Sequence, residues 1–203
     1  DDRSLLVSFF RPPVDGRGRV ILLVDRTLAP ALRPELERFQ TDLAGDGFTV
    51  IRHDVPRHRD GAWSGPAVDP AYRSELALIK SEVTADYRQA PDQTVAVLLL
   101  GHVVIPYSGL GAEDGHIEHF GAWPADSYYG DIEGNWTDAT ATTRRNVTHA
   151  LLRNVPGDGK FDAFTFPPPA TADAPRSTPG LDMAVGRVDF AGMPAFQPLS
   201  ETE

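Results

Sequence analysis

Three short runs of apolar residues, separated by two stretches with helical periodicity, constrain the fold of this chain more than any other feature of its sequence. The runs are "RVILLVDRTL" at 19–28, "FTVIRHDV" at 48–55 and "TVAVLLLG" at 94–101. Their interiors are continuous apolar runs that do not alternate, which is typical of strands buried on both faces. We therefore interpret each run as a β-strand of a parallel sheet.

The two stretches between these runs each carry one apolar stripe at helical spacing. Pro34 suits the first turn of the first helix, and Asp69 before Pro70 is an N-cap pattern for the second. Both stretches are therefore predicted to be amphipathic helices. The stripes consist of Leu32, Leu36, Phe39 and Leu43, and of Tyr72, Leu76, Ile79, Val83 and Tyr87.

The alternation of strand and helix predicts a doubly wound α/β fold, because right-handed crossovers place helices on both faces of a parallel sheet. A fourth strand is expected in "DMAVGRVDF" at 182–190. We predict four parallel strands in the spatial order 2-1-3-4. Their expected positions are 19–25, 48–53, 94–101 and 183–188.

The chain divides into a short extension at 1–18, a half-domain at 19–193 and a connecting segment at 194–203. An irregular insertion at 106–180 is rich in Gly, Pro, Asp and aromatic residues, with one short helix expected near 142–153. So long an irregular segment needs something to order it. Ser200 and Glu203 form a capping-box pattern, which predicts that a further helix follows.

Composition excludes several functions. The 203 residues include no cysteine, so the chain can form neither a disulfide nor a thiol nucleophile. The net charge of −10 argues against nucleic acid and anionic membranes as partners. No apolar run approaches the length of a membrane span.

A local excess of acidic residues predicts a cation site. From 89 to 143 the chain has eight Asp and Glu residues and no Lys or Arg. Calcium prefers six to eight oxygen ligands, which the loops "DIEGNWTD" and "PGDGKFD" could supply together. The alternative is a pair of turns with solvated acidic side chains. The candidate calcium ligands are Asp131, Glu133, Asn135, Asp138, Asp158 and Asp162.

His102 follows the third strand, at the edge where open α/β sheets bind ligands. Asp25 and His53 lie near the ends of the first two strands, so the three side chains could converge. His102 could then act as a general base or metal ligand, or it could hydrogen-bond to the loop and brace it. Ser108 lacks the sequence context of a nucleophile elbow.

A second histidine pair, His116 and His119, lies in "HIEH". Two imidazoles three residues apart could contact one zinc ion. The segment is not the HExxH pattern of zinc peptidases, so zinc is the less favoured cofactor and calcium the more favoured one.

Several motifs occur in a characteristic order: "LLLGHVVIP", "ADSYYGD" and "MAVGRVDF". In this respect the chain resembles the first half of the gingipain-like cysteine peptidases, which are related to caspases. The chain departs from the gingipain-like pattern at His102, where that family usually has Asp. It also departs from caspases, whose histidine is followed by Gly, because Val103 follows His102 here.

The resemblance implies a non-catalytic N-terminal half of a bacterial peptidase, secreted or at the cell surface. Its partners would be a catalytic half with the His/Cys dyad, following Glu203, and a protein or peptide substrate. This chain alone is then expected to be inactive. Two alternatives remain open: a calcium-stabilised binding or interaction module, and a metal hydrolase that uses the histidines.

Overall fold

The computed structural model describes residues 16–60, 69–112, 115–143, 150–162 and 180–193. The extension expected at 1–18 and the capping-box pattern at the C-terminus lie almost wholly outside these ranges. The strands are β1 (Gly18–Asp25), β2 (Phe48–Val55), β3 (Thr94–Leu100), β4 (Tyr107–Gly111), β5 (Gly121–Pro124) and β6 (Ala184–Val188). The helices are α1 (Arg33–Gly45), α2 (Pro70–Gln89) and the single turn α3 (Ser127–Gly130).

The main sheet has four strands in the order β2-β1-β3-β6, and every neighbouring pair is parallel. This confirms the predicted strand order, with β6 as the fourth strand. Because the strands are parallel and in register, their carboxyl ends meet at one edge of the sheet. We call this edge the carboxyl edge; the ends of its strands are Asp25, Val55, Leu100 and Val188.

Two separate apolar clusters cover the two faces of the sheet, which confirms the doubly wound arrangement. Successive β1 side chains alternate between them, because neighbouring strand residues point to opposite faces. Ile21 and Leu23 belong to the cluster that contains α2. Leu22 and Val24 belong to the cluster that contains Leu36 of α1.

The two helices begin near the positions that their sequences predict. The side chain of Asp69 accepts a hydrogen bond of 2.9 Å from the Ala71 N–H, as an N-cap does. Helix α1 has Pro34 in its first turn but no side-chain cap. Tyr72, Leu76, Ile79 and Val83 of the predicted α2 stripe are buried.

The irregular insertion contains short elements that the sequence did not predict. β4 and β5 form an antiparallel pair, and α3 follows β5 directly. The helix expected near 142–153 is described only in part, as a 3₁₀ turn at Ala150–Leu152. Among the described residues, no helix has the length and apolar character needed to cross a membrane.

Candidate functional site

The carboxyl edge of the sheet collects ionisable side chains from all four strands. Asp25 ends β1, Arg57 and His58 follow β2, His102 follows β3, and Asp189 follows β6. Because the strands are parallel, these residues all lie at the carboxyl edge, where open α/β sheets bind ligands.

Asp25 is fully buried, and both of its carboxylate oxygens accept hydrogen bonds. It accepts hydrogen bonds from the backbone N–H and hydroxyl of Thr27, at 2.9 and 2.7 Å, and from Arg57 at 2.7 Å. A side chain at Gly101, whose φ is +81°, would come within 2.8 Å of the Asp25 Cβ. Asp25 therefore holds the ends of β1 and β2 together.

His102 is oriented by a carboxylate. Its Nδ1 lies 2.7 Å from Asp189 Oδ2, and the side chain is 10% exposed. The hydrogen bond to Asp189 raises the pKa of His102, although burial opposes the rise. With its proton on Nδ1, the neutral ring presents the lone pair of Nε2. Among the described residues, this buried Nε2 has no hydrogen-bond partner.

His58 packs against His102. The two rings are T-shaped with centroids 5.1 Å apart, and the His58 backbone N–H donates to the His102 carbonyl at 2.6 Å. Nδ1 of His58 accepts a 3.3 Å hydrogen bond from the Ile105 N–H. Burial, followed by the neighbouring His102, lowers the pKa of His58 to about 4. His58 is therefore neutral at physiological pH.

A third ligand atom lies close to these two rings. Asp60 Oδ1 is 3.7 Å from Nε2 of His102, and the Asp60 side chain is 97% exposed. One nitrogen from each histidine and one Asp60 oxygen all lie within 4.8 Å of one another. Among the described residues, this is the group of histidines and carboxylates that could hold a metal ion.

Arg187 ties β6 to the insertion beside this group. Its guanidinium donates to both carboxylate oxygens of Asp126, at 2.7 and 2.8 Å, and to the Val103 carbonyl at 2.8 Å. Bidentate arginine–carboxylate pairs fix geometry as well as charge. The "ADSYYGD" and "VGRVDF" motifs thus contact each other through this pair.

The structure brings together only some of the residues predicted to converge. Asp25 and His102 both lie at the carboxyl edge, but His53 instead contacts Asp86 of α2 at 2.6 Å. His116 precedes the 3₁₀ turn Ile117–His119 and His119 is its last residue, with the two ring centroids 5.5 Å apart. Within the described residues they do not join a group of three possible metal ligands.

The two loops proposed to bind calcium do fold together. Asp138 of the first loop accepts the N–H groups of Gly157 and Gly159, each at 2.7 Å. Asp162 of the second loop accepts the N–H groups of residues 139–141 and the hydroxyl of Thr137. The loops are therefore linked reciprocally by carboxylates that bind backbone amides.

The other calcium candidates differ in burial. Asp131 is fully buried and accepts hydrogen bonds from Gly134, Gly180 and the Trp136 indole, at 2.7–3.1 Å. Asp158 accepts the N–H groups of Val155 and Lys160, both at 3.0 Å. Glu133 and Asn135 are exposed. Calcium binding by these loops stays a prediction.

Sequence reasoning missed His58, Asp60 and Asp189 as neighbours of His102, and it missed the Arg187–Asp126 pair. A partial signal was present: "HRD" at 58–60 directly follows the second predicted strand, and Asp189 directly follows the fourth.

Comparisons of the chain with protein-family models, with curated proteins and with solved structures found no match.

Proposed function

We propose that this chain is the N-terminal, non-catalytic half of a gingipain-like cysteine peptidase, and that it supports a catalytic α/β half that follows it. The observation that carries the proposal is the outer edge of β6. Among the described residues, β6 ends the sheet and pairs only with β3.

The two outer strands of the sheet, β2 and β6, differ in how their free sides are protected from pairing with a further strand. On β2, Arg52 pairs with Asp54 at 2.7 Å and His53 with Asp86, so the edge is charged. Charged side chains discourage a further strand from pairing with a sheet edge. Strand β6 has the sequence "AVGRV", and its Arg187 is directed to Asp126 and Val103.

Exposed apolar residues lie in β6 and next to it in the sequence. Val188 is 55% exposed, and Leu181, Phe190 and Met193 are 40–51% exposed. Large exposed apolar residues next to an unpaired strand edge are typical of a surface that another element covers. A second α/β half, adding a parallel strand to β6, would bury them.

This arrangement would also bring the catalytic groups to the carboxyl edge. A strand added parallel to β6 ends at the same carboxyl edge as β3 and β6. A histidine and a cysteine at the ends of added strands would then lie along this edge. The 203 residues contain no cysteine, so the thiol must come from the added half.

The role of His102 in this proposal is to brace the loop after β3. Its Nδ1 binds Asp189 after β6, and its carbonyl accepts the His58 N–H after β2. It therefore connects three strand ends at the face that the active half would contact.

The test begins with the coding sequence beyond Glu203. We expect a strand that ends in histidine and a later strand that ends in cysteine. The joined protein should hydrolyse a mixed peptide library, whereas the isolated chain should not. Turnover by the isolated chain that His102→Ala abolishes would overturn the proposal in favour of a hydrolase.

A matched pair of variants tests the docking edge. In the joined protein, Val188→Lys should lower activity about tenfold, equivalent to about 1.4 kcal/mol of lost docking free energy. Leu78→Lys is the control, because Leu78 is 49% exposed on α2, away from β6. Equal effects of the two variants would contradict docking at β6.

A further inference from the structure

The geometry points to a binding site for a divalent transition metal of the zinc class at the carboxyl edge, formed by His58, Asp60 and His102. This inference is independent of the proposed peptidase function. It assigns a site to residues that lie on two different loops, one after β2 and one after β3.

The orientation of His102 is the first support. Metal-ligating histidines almost always donate their other ring N–H to a carboxylate or carbonyl, which fixes the tautomer and strengthens the ligand. Here His102 Nδ1–H donates to Asp189 Oδ2 at 2.7 Å. The opposite nitrogen, Nε2, is buried with no hydrogen-bond partner among the described residues. A buried nitrogen left without a partner is costly, and a metal ion would supply one.

The spacing of the ligand atoms is the second support. Two ligands on one tetrahedral zinc ion lie about 3.4 Å apart, since each is about 2.0–2.2 Å from the metal. Asp60 Oδ1 and His102 Nε2 are 3.7 Å apart, too far for a hydrogen bond but close to this value. Because the Asp60 side chain is exposed, a small rotation can complete the approach.

The local charge is the third support. Arg57 pairs with Asp25, and Arg187 pairs with Asp126 and also lies 3.5 Å from Asp189. With Asp60, these four carboxylates outnumber the two guanidinium groups by two. A divalent cation would neutralise this excess. Two imidazole ligands favour zinc over calcium, which prefers oxygen ligands.

His58 contributes its nitrogen at a small cost. To bind a metal ion, the His58 ring must be the neutral imidazole. Its Nδ1 accepts the Ile105 N–H at 3.3 Å, so the neutral ring carries its proton on Nε2. Metal binding must displace this contact. The contact is long for a hydrogen bond, and its loss is small beside a metal–imidazole bond.

The decisive experiment is a zinc titration of the purified 203-residue chain after treatment with chelator. We expect one equivalent of zinc to bind with micromolar or tighter affinity, measured by calorimetry. Cobalt in place of zinc should give the visible absorption of a tetrahedral ion. Calcium should not compete. A folded chain that binds no zinc would overturn the inference.

Variants locate the site. Asp60→Asn tests it without disturbing the core, because this side chain is 97% exposed, and should weaken zinc binding about tenfold or more. His102→Gln and His58→Gln should each abolish binding by the folded chain. His116→Gln is the control, since it removes the other candidate zinc ligand pair. Zinc binding that His116→Gln removes, or that Asp60→Asn leaves unchanged, would contradict the assignment.

Discussion

Carboxylates at the carboxyl edge and carboxylates in the insertion have different partners. At the edge, Asp25 binds the guanidinium group of Arg57, and Asp189 binds the imidazole of His102. In the insertion, Asp162 binds three backbone N–H groups and one hydroxyl. The same side chain thus joins strand ends in one region and orders irregular backbone in the other.

The difference follows from where backbone amides find acceptors. In the sheet, the carbonyls of neighbouring strands accept the backbone N–H groups. The carboxylates at the strand ends can therefore pair with other side chains. An irregular segment lacks a ladder, and its buried N–H groups still require acceptors. A carboxylate offers two oxygens and accepts several N–H groups at once. The acidic residues of the insertion therefore provide hydrogen-bond acceptors for its backbone N–H groups.

Two lysines, the buried Lys160 and the half-buried Lys80, donate hydrogen bonds to backbone carbonyls of the insertion. The Lys80 ammonium donates to the carbonyls of Tyr128 and Asp131. Lys160 donates to the Arg153 carbonyl. Burial lowers the pKa of each to about 8. These ammonium groups contact backbone carbonyls much as a bound cation would.

The largest expected effect is at Asp131. Asp131→Ala leaves two backbone N–H groups and the Trp136 indole without their acceptor. Each buried donor left unsatisfied costs about 1–3 kcal/mol, so the variant should lose about 3 kcal/mol or more of unfolding free energy. Urea denaturation measures this.

The close fit around Asp131 sharpens the expectation. A Cβ at Gly134 would lie 1.9 Å from Asp131 Oδ2, so this turn is shaped around the carboxylate. Glu133→Ala, one residue from Gly134 and exposed, is the control and should change stability by less than about 0.5 kcal/mol. Similar losses in both variants would mean that the carboxylate–amide contacts do not order the loop.

The next effect concerns Asp162 and pH. Burial opposes ionisation, but the hydrogen bonds from residues 139–141 and Thr137 together outweigh it and lower the pKa of Asp162 from 3.8 to about 2. A lowered pKa stabilises the fold above the unfolded value, and this stabilisation is lost as pH falls through the folded value. Asp162→Asn should therefore destabilise the chain at neutral pH by about 1 kcal/mol, allowing for solvent screening.

The pH profile separates this explanation from a packing effect. The stability difference between wild type and Asp162→Asn should shrink between about pH 4 and pH 2, as measured by denaturation at each pH. Thr137→Val removes one donor, at 2.7 Å, and should raise the pKa of Asp162 in an NMR titration. A difference that stays constant with pH would contradict the assignment.

The smallest expected effect is that of calcium on the two loops. Backbone amides already bind the oxygens of Asp131, Asp138, Asp158 and Asp162, so calcium would have to displace them. We therefore expect calcium binding to raise the melting temperature by only about 2 °C, equivalent to about 0.5 kcal/mol. A larger rise that Asp131→Ala removes would show that the cation, rather than the amides, orders the insertion.

The sequence predicted the sheet well because its signals are local. The strands of the main sheet lie in largely apolar runs, and helices α1 and α2 each show an apolar stripe within 20 residues. The crossover rule converts that alternation into a strand order. The short strands β4 and β5 were missed, because "YSGLG" and "GAWP" carry too few residues for a period to be read.

The candidate site was predicted only in part. His102 and Asp25 were placed correctly at the carboxyl edge, since strand ends are visible in the sequence. His53 was not part of the site, because one residue of shift along a strand reverses the face to which a side chain points. The next loop residues, His58 and Asp60, approach His102 instead.

The sequence by itself determined the doubly wound sheet, its strand order and the edge at which charged residues gather. Only the tertiary structure decided what each carboxylate binds. Asp189 is 87 residues from His102, and Asp131 is 49 residues from Gly180. A carboxylate has the same letter whether its partner is an arginine, an amide or a metal ion, and partners this distant leave no local pattern. In the folded chain these distant groups meet, and nearly all buried polar groups of a stable fold have such a partner.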